Sequence, residues 1–211
     1  VILLAVPAVW SVARARDLSG VISDVFVSSG SDEPLAYGTS DGASTDDDFQ
    51  TILLLGGDEG PGRWALRTDT MILVTIHEES GRIAMISIPR NMNKMQFPPG
   101  SAMANEFPKG FPDLANAIYP YVFSHEDIAA TYVRGDLQPE AIALASGISY
   151  SMNITIDDYV LVNIQGFLEI IDALGSLTLT LDEKLPMPGN IPGANTQYPP
   201  FIEPGEVTMD G

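Results

Sequence analysis

Three short apolar runs, closed by glycines and a proline, constrain this chain most. Thr51–Leu55 (TILLL) is a continuous apolar run stopped by Gly56-Gly57, too short for a helix and bounded as a buried strand is. Thr70–Ile76 (TMILVTI) and Arg82–Ile88 (RIAMISI) flank the polar turn His77-Glu78-Glu79-Ser80-Gly81, which is the pattern of a hairpin. Pro89 has no N–H to give to a ladder and ends the third run.

Helical and extended patterns alternate further along. Pro139–Ser151 (PEAIALASGISYS) begins with Pro at a first helical position and reads as a helix. Asp157–Val162 reads as a strand, Gln165–Leu174 as an amphipathic helix stopped by Gly175, and Leu177–Leu181 as a further strand, together a βαβ unit. Residues 92–138 carry QFPPG and FPKGFPD and little periodicity, so an insertion or lid is expected there, with short helices near Leu114–Phe123. Residues 185–206 read as loop, and the chain stops at EPGEVTMDG without the pattern of a terminal element.

The N-terminal run VILLAVPAVWSVA would span roughly 20 Å as a helix, against about 30 Å of bilayer hydrocarbon. It reads as the outer end of a membrane helix rather than a short helix docked on the domain; Trp10 suits an interface, while Arg14 and Arg16 prefer the cytoplasmic side. The expected organisation is therefore residues 1–27 as the end of a membrane anchor with its juxtamembrane segment, 28–49 as a polar linker, and 50–211 as the functional domain. With 10 Lys+Arg against 28 Asp+Glu, the formal charge of −18 excludes the basic face that nucleic acid requires. No cysteine and only two histidines exclude thiolate zinc sites, Fe–S clusters, a Cys nucleophile and a His-rich metal centre. His77 and His125 read as surface residues rather than bases.

The chemistry concentrates in Gly56–Asn91 (GGDEGPGRWALRTDTMILVTIHEESGRIAMISIPRN). The connection Gly56–Asp69 is long, as functional loops often are. If the three strands form an antiparallel meander, Asp58, Arg67, Asp69 and Arg90 meet at one end of the sheet. Two carboxylates without His or Cys suit a hard cation such as Mg²⁺. Guanidinium groups match phosphate oxygens two at a time. A carboxylate–Mg²⁺–pyrophosphate–arginine site accounts for all four groups. Structural ion pairs, Arg67 with Asp69 and Arg90 with Asp58, account for the same spacing equally well. GGDEGPG lacks the Lys-Ser/Thr of a P-loop and reads as a turn.

TILLLGGDEG, RTDTMILVTI, ISIPRN, NAIYPY and IDDYVLVNIQGFLEIIDALGSL, in this order over roughly residues 51–182, resemble the LytR–CpsA–Psr family of cell-wall glycopolymer ligases. The GDxGxGRWxxRTDTM form is similar to actinobacterial members. The resemblance implies an α/β/α sandwich around a central mixed β-sheet, held outside the cell membrane by one or more N-terminal helices, with an apolar tunnel for a polyprenyl chain. It implies transfer of a polymer from a polyprenyl-pyrophosphate carrier to a hydroxyl of peptidoglycan. By motif, Asp58 and Asp69 match the Mg²⁺-associated aspartates, and Arg67 and Arg90 the arginines gripping the pyrophosphate, with Arg63 assisting; Arg67, Asp69 and Arg90 are the expected catalytic set. Two departures stand out. Leu114 occupies a position where the family usually has Lys or Arg, and the chain stops at Met209-Asp210-Gly211, where family members continue into a further arginine-bearing strand and helix. A C-terminally truncated member, weak or inactive alone, is the expectation. The alternatives are a pyrophosphatase on the same lipid and a non-catalytic polyprenyl-phosphate-binding scaffold.

Overall fold

The computed structural model describes residues 34–36, 48–57, 66–186 and 201–209. The chain divides into two compact units, Ile22–Gly166 and a second whose described residues run from Phe167 onward. The first holds β1 (Phe49–Gly57), β2 (Thr68–His77), β3 (Ile83–Ser87) and β4 (Asp158–Asn163), in the order β3-β2-β1-β4. The first three strands form the expected antiparallel meander, and β4 lies parallel to β1, so the sheet is mixed. Its helices are α1 (Ala102–Glu106), α2 (Ile118–Phe123), α3 (Glu126–Ala129) and α4 (Pro139–Met152). The architecture is a mixed β-sheet flanked by helices, as the resemblance implied.

Burial follows the two-residue period of the strands. Leu53 faces Leu73, and Leu55 faces Met71, all four buried; Tyr159 of β4 lies beside Leu53 and is buried too. Ile52 and Leu54 point to the other face and are only half-buried. The expectation of a strand buried throughout is corrected accordingly: one face of β1 is core and the other is partly open.

Helix α4 packs into the core on almost every side. Ala141, Ile142, Ala143, Leu144, Ala145, Gly147, Ile148 and Ser149 are all buried, as a helix apolar all round requires. Its small residues admit neighbours closely: a Cβ on Gly147 would lie 2.7 Å from Phe97 Cε1 and 2.9 Å from Met95 Sδ. Two tyrosines fix its start. Tyr119 donates to Gln138 Oε1 (2.8 Å), and the Gln138 N–H donates to Tyr159 Oη (3.1 Å). Asn153, left-handed at φ 53°, ends it.

Residues 92–138 are not a lid. Met95, Phe97, Met103, Phe111, Val122 and Ile128 are buried in the core of the first unit. Short helices and turns deliver these side chains at irregular spacing, which is why no period was visible. Within the expected polar linker, Leu35 and Ala36 are buried, and Ala36 bridges Ile156 through two backbone hydrogen bonds of 3.0 and 2.9 Å. The apolar run 1–13 lies outside the described residues, among which no helix is long and apolar enough to cross a membrane.

β4 leads into α5 (Ile164–Leu174), which reaches into the second unit. There β5 (Leu177–Leu181) pairs antiparallel with β8 (Gly205–Met209), and β6 (Leu185–Pro186) with β7 (Phe201–Ile202). The expected βαβ unit is therefore corrected: strand, helix and strand follow one another, but β5 joins β8 instead of the sheet of β4. The partner is the GEVTM segment that lacked a visible pattern. It alternates as β5 does, and Thr178 and Thr208 meet across the pair at 3.1 Å.

At the end of the sheet away from Gly57, the Thr51 N–H donates to Asp157 Oδ2 (2.7 Å). Burial, the largest influence, raises the pKa of Asp157; the Thr51 N–H opposes this, and Asp158 and Glu78 add to it. A carboxyl held above its unfolded value binds more protons in the native state. Its contribution to stability is present below the ordinary carboxylate pKa and is lost as pH rises through the folded value. Asp157→Asn keeps an acceptor for Thr51, so the Tm of the variant is expected to gain on the wild type between pH 4 and 7. A constant Tm difference across that range would refute this.

Candidate active site

The end of the sheet carrying Gly56-Gly57 is shaped by a bulge. Gly56 pairs with Thr70 and Gly57 with Thr68, so Asp69 is the extra residue on β2. A bulge re-aims the side chain it carries. The glycines permit it by close approach: a Cβ on Gly56 would lie 2.8 Å from Thr70 Cβ, and one on Gly57 2.7 Å from Leu66 Cδ1.

Asp69 is held from two sides. Arg90 Nη1 donates to Oδ2 at 2.7 Å, and Asn116 Nδ2 donates to Oδ1 at 2.6 Å. Arg90 follows β3 and Pro89, and its carbonyl accepts the Asn116 N–H (3.2 Å). Met92 accepts the Ala115 N–H (2.7 Å), so the single turn of 3-10 helix Ala115–Ala117 is fastened to the segment after β3. Asn116 is buried, and among the described residues its Oδ1 has no hydrogen-bond partner, nor has the buried Thr68 Oγ1 one residue before Asp69.

Arg67, exposed just before β2, has no carboxylate partner among the described residues. It lines an open groove of about 440 Å³ with Phe107, Phe111, Asp113, Tyr121 and Ser124. The three aromatic rings lock edge to face at 5.2 to 5.5 Å between centroids. His125 stacks on Tyr121 at 4.0 Å, with Nδ1 held 2.7 Å from the Tyr121 carbonyl oxygen.

Of the residues singled out from the sequence, Asp69 and Arg90 are in direct contact, and Arg67 stands at the start of the same strand. Asp58 and Arg63 lie outside the described residues. The ion pair formed is Arg90 with Asp69, not the Arg67–Asp69 pair that spacing alone allowed. Asn116 was missed, although it opens the NAIYPY block, a polar residue before an apolar run. Leu114, standing where a cation is usual, is half-buried and bridges Asn93. Chemically, the arrangement offers guanidinium forks, a carboxylate and a buried amide at one edge, which suits an anionic, oxygen-rich ligand.

Residues 27–211 match the LytR_cpsA_psr family. The chain belongs to that family. Among curated relatives of this LytR_cpsA_psr protein, the polyisoprenyl-teichoic acid–peptidoglycan teichoic acid transferase TagU of Oceanobacillus iheyensis is 30% identical over 78% of the chain and 41% of the relative. The crystal structure of B. subtilis TagV superposes with a TM-score of 0.51 at 19% identity, covering 77% of this chain and 52% of that one. A structure of TagT bound to LI-WTA gives 0.51 at 16% identity, over 87% and 59%. These two likenesses establish the shared fold. The chain spans about two fifths of the length of the TagU relative.

Proposed function

We propose that this protein transfers a glycopolymer from a polyprenyl-pyrophosphate lipid to a hydroxyl of peptidoglycan. It acts outside the cell membrane, to which its N-terminal segment anchors it, with residues 50–211 as the catalytic domain. The carrying observation is Asp69, lifted on a bulge between Arg90 and Asn116 with Arg67 two residues away, in a member of this family. The teichoic acid transferase activity for which the TagU relative is named supports the donor and acceptor classes. The GGDEGPGRW stretch supports a member of actinobacterial type.

Arg67 and Arg90 grip the pyrophosphate, with Arg63 assisting, because planar guanidinium groups bind phosphate oxygens in pairs. The acceptor oxygen attacks the sugar-bearing phosphorus. A new P–O bond forms, the bond from that phosphorus to the bridging oxygen breaks, and polyprenyl phosphate leaves. A carboxylate, Asp69 or Asp58, takes the hydroxyl proton. Arginines fixed before the reaction stabilise the leaving charge in place.

Mg²⁺ fits the donors here. Asp69 is a hard oxygen ligand, each of its oxygens keeps a lone pair beyond the bond it accepts, and Asn116 Oδ1 is a buried acceptor without a partner among the described residues; by its motif Asp58 would add a second carboxylate. When bound, the ion would neutralise charge on the diphosphate.

The test supplies the protein with a polyprenyl-pyrophosphate-linked sugar, Mg²⁺ and peptidoglycan. Covalent attachment of the sugar phosphate to peptidoglycan is expected. Free sugar phosphate would instead mark a pyrophosphatase, and lipid binding without turnover a scaffold. Asp69→Ala should raise the Mg²⁺ concentration needed for half-maximal turnover by about tenfold or more. An unchanged requirement removes Asp69 from the metal site.

A further inference from the structure

We propose that Asn116 is a positioning residue: through Asp69 it sets the aim of the Arg90 guanidinium toward the phosphate being transferred. This rests on the functional reading above and adds what holds its phosphate-gripping arginine in place.

Asp69, Arg90 and Asn116 close a ring of hydrogen bonds. Arg90 Nη1 donates to Asp69 Oδ2 (2.7 Å), and Asn116 Nδ2 donates to Asp69 Oδ1 (2.6 Å). The Asn116 N–H donates to the Arg90 carbonyl oxygen (3.2 Å) and completes the circuit. Chemistry fixes which end of the amide faces Asp69, since a carboxylate accepts and only the NH₂ end donates.

The ring is anchored at its buried corner. The Arg90 side chain is 60% exposed and that of Asp69 29%, whereas Asn116 is 3% exposed. An ion pair as open as Arg90–Asp69 is loosely held when it stands alone. Asn116 is fastened on both sides, because the Ala115 N–H donates to the Met92 carbonyl (2.7 Å) and the Ala117 N–H to that of Leu114 (2.9 Å). The fixed corner holds the exposed one.

Arg90 engages Asp69 through Nη1, which leaves its Nε–Nη2 edge with two parallel N–H groups. Such an edge meets two phosphate oxygens at once. Without a fixed carboxylate the fork would turn freely in solvent. With one, its donors are in place before charge develops on the leaving phosphate, and the reaction carries no reorganisation cost for them.

Packing does not account for an amide here. Asn116 Oδ1 is buried without a partner among the described residues, which is a cost to the fold. Leucine has the same branched shape and would fill the space without that cost. Asn116 therefore serves the site rather than stability.

Asn116→Leu keeps the shape and removes the donor, and Asn116→Ala serves if leucine does not pack. Turnover and Tm of the whole protein are measured for each, alone and combined with Arg90→Ala. Alone, each should lower kcat by about tenfold, as loss of a group that orients a reacting one does, with Tm held in at least one of them. Combined with Arg90→Ala, neither should lower kcat further by more than about twofold, since the group it aims is gone. Wild-type kcat in both variants would overturn the proposal, as would the full loss recurring on top of Arg90→Ala.

Heteronuclear NMR of the Arg90 guanidinium, identified by its absence in Arg90→Lys, reads the aim directly. Rotation about the Cζ–Nη bonds should be slow in the wild type and fast in Asn116→Leu. Fast rotation in the wild type, or no change in either Asn116 variant, would overturn the proposal. The two readings also fail separately. If Arg90 is held and the whole protein transfers nothing, the functional reading fails and the positioning stands; if transfer proceeds with Arg90 turning freely, the positioning alone fails.

Discussion

Arg90→Ala is expected to lower kcat for polymer transfer by about 10²–10³-fold, the usual loss when one preorganised donor to a developing oxyanion is removed. Stability should barely move. The Arg90 side chain is 60% exposed, and its pair with Asp69 lies at the surface, where such pairs contribute about 0–1 kcal/mol. Arg90→Lys restores the charge but not the planar fork, so it should recover only part of the loss. Turnover assays beside urea denaturation give both numbers for each variant. Wild-type turnover in Arg90→Ala would remove Arg90 from the reaction.

The largest effect on folding is expected inside the sheet. Leu53→Ala should destabilise the protein by about 2–5 kcal/mol, because Leu53 is fully buried opposite Leu73 and beside Tyr159. Leu54→Ala, one residue on and only half-buried, should cost less than half as much. The two have the same composition and nearly the same position, so the face of β1 alone separates them. Equal shifts in the urea midpoint would mean that both faces of the sheet are sealed.

That pair also shows where reading the sequence stops. TILLL is apolar at every position, so the run announces a strand but not which face is core. The neighbours that decide it, Met71 and Leu73 on one side and Tyr159 on the other, come from distant segments. The meander was legible because Gly56-Gly57, the His77–Gly81 turn and Pro89 punctuate it, and α4 because Pro139 starts it. The contact of Asp69 with Arg90 follows from the meander.

The bulge that lifts Asp69 was not legible, since it depends on a register shift of one residue. Asn116 was not legible either. Its role comes from a 3-10 turn fastened by backbone bonds to Arg90 and Met92, and backbone bonds leave no residue pattern. The pairing of β5 with β8 escaped for a similar reason, as the masking Pro and Gly around GEVTM signal loop.

The parallel pairing of β1 with β4 has a kinetic consequence. Thr51 and Asp157, which close that pair, are separated by 106 residues. Loop closure over such a length is slow compared with hairpin formation, so the meander should assemble well before β4 arrives. During that interval Leu53, Leu55 and Leu73 face solvent on a half-built sheet, an invitation to aggregation while the chain matures. The edge that carries Asp69 and Arg90 is thus born early, and its scaffold is the last part to be secured.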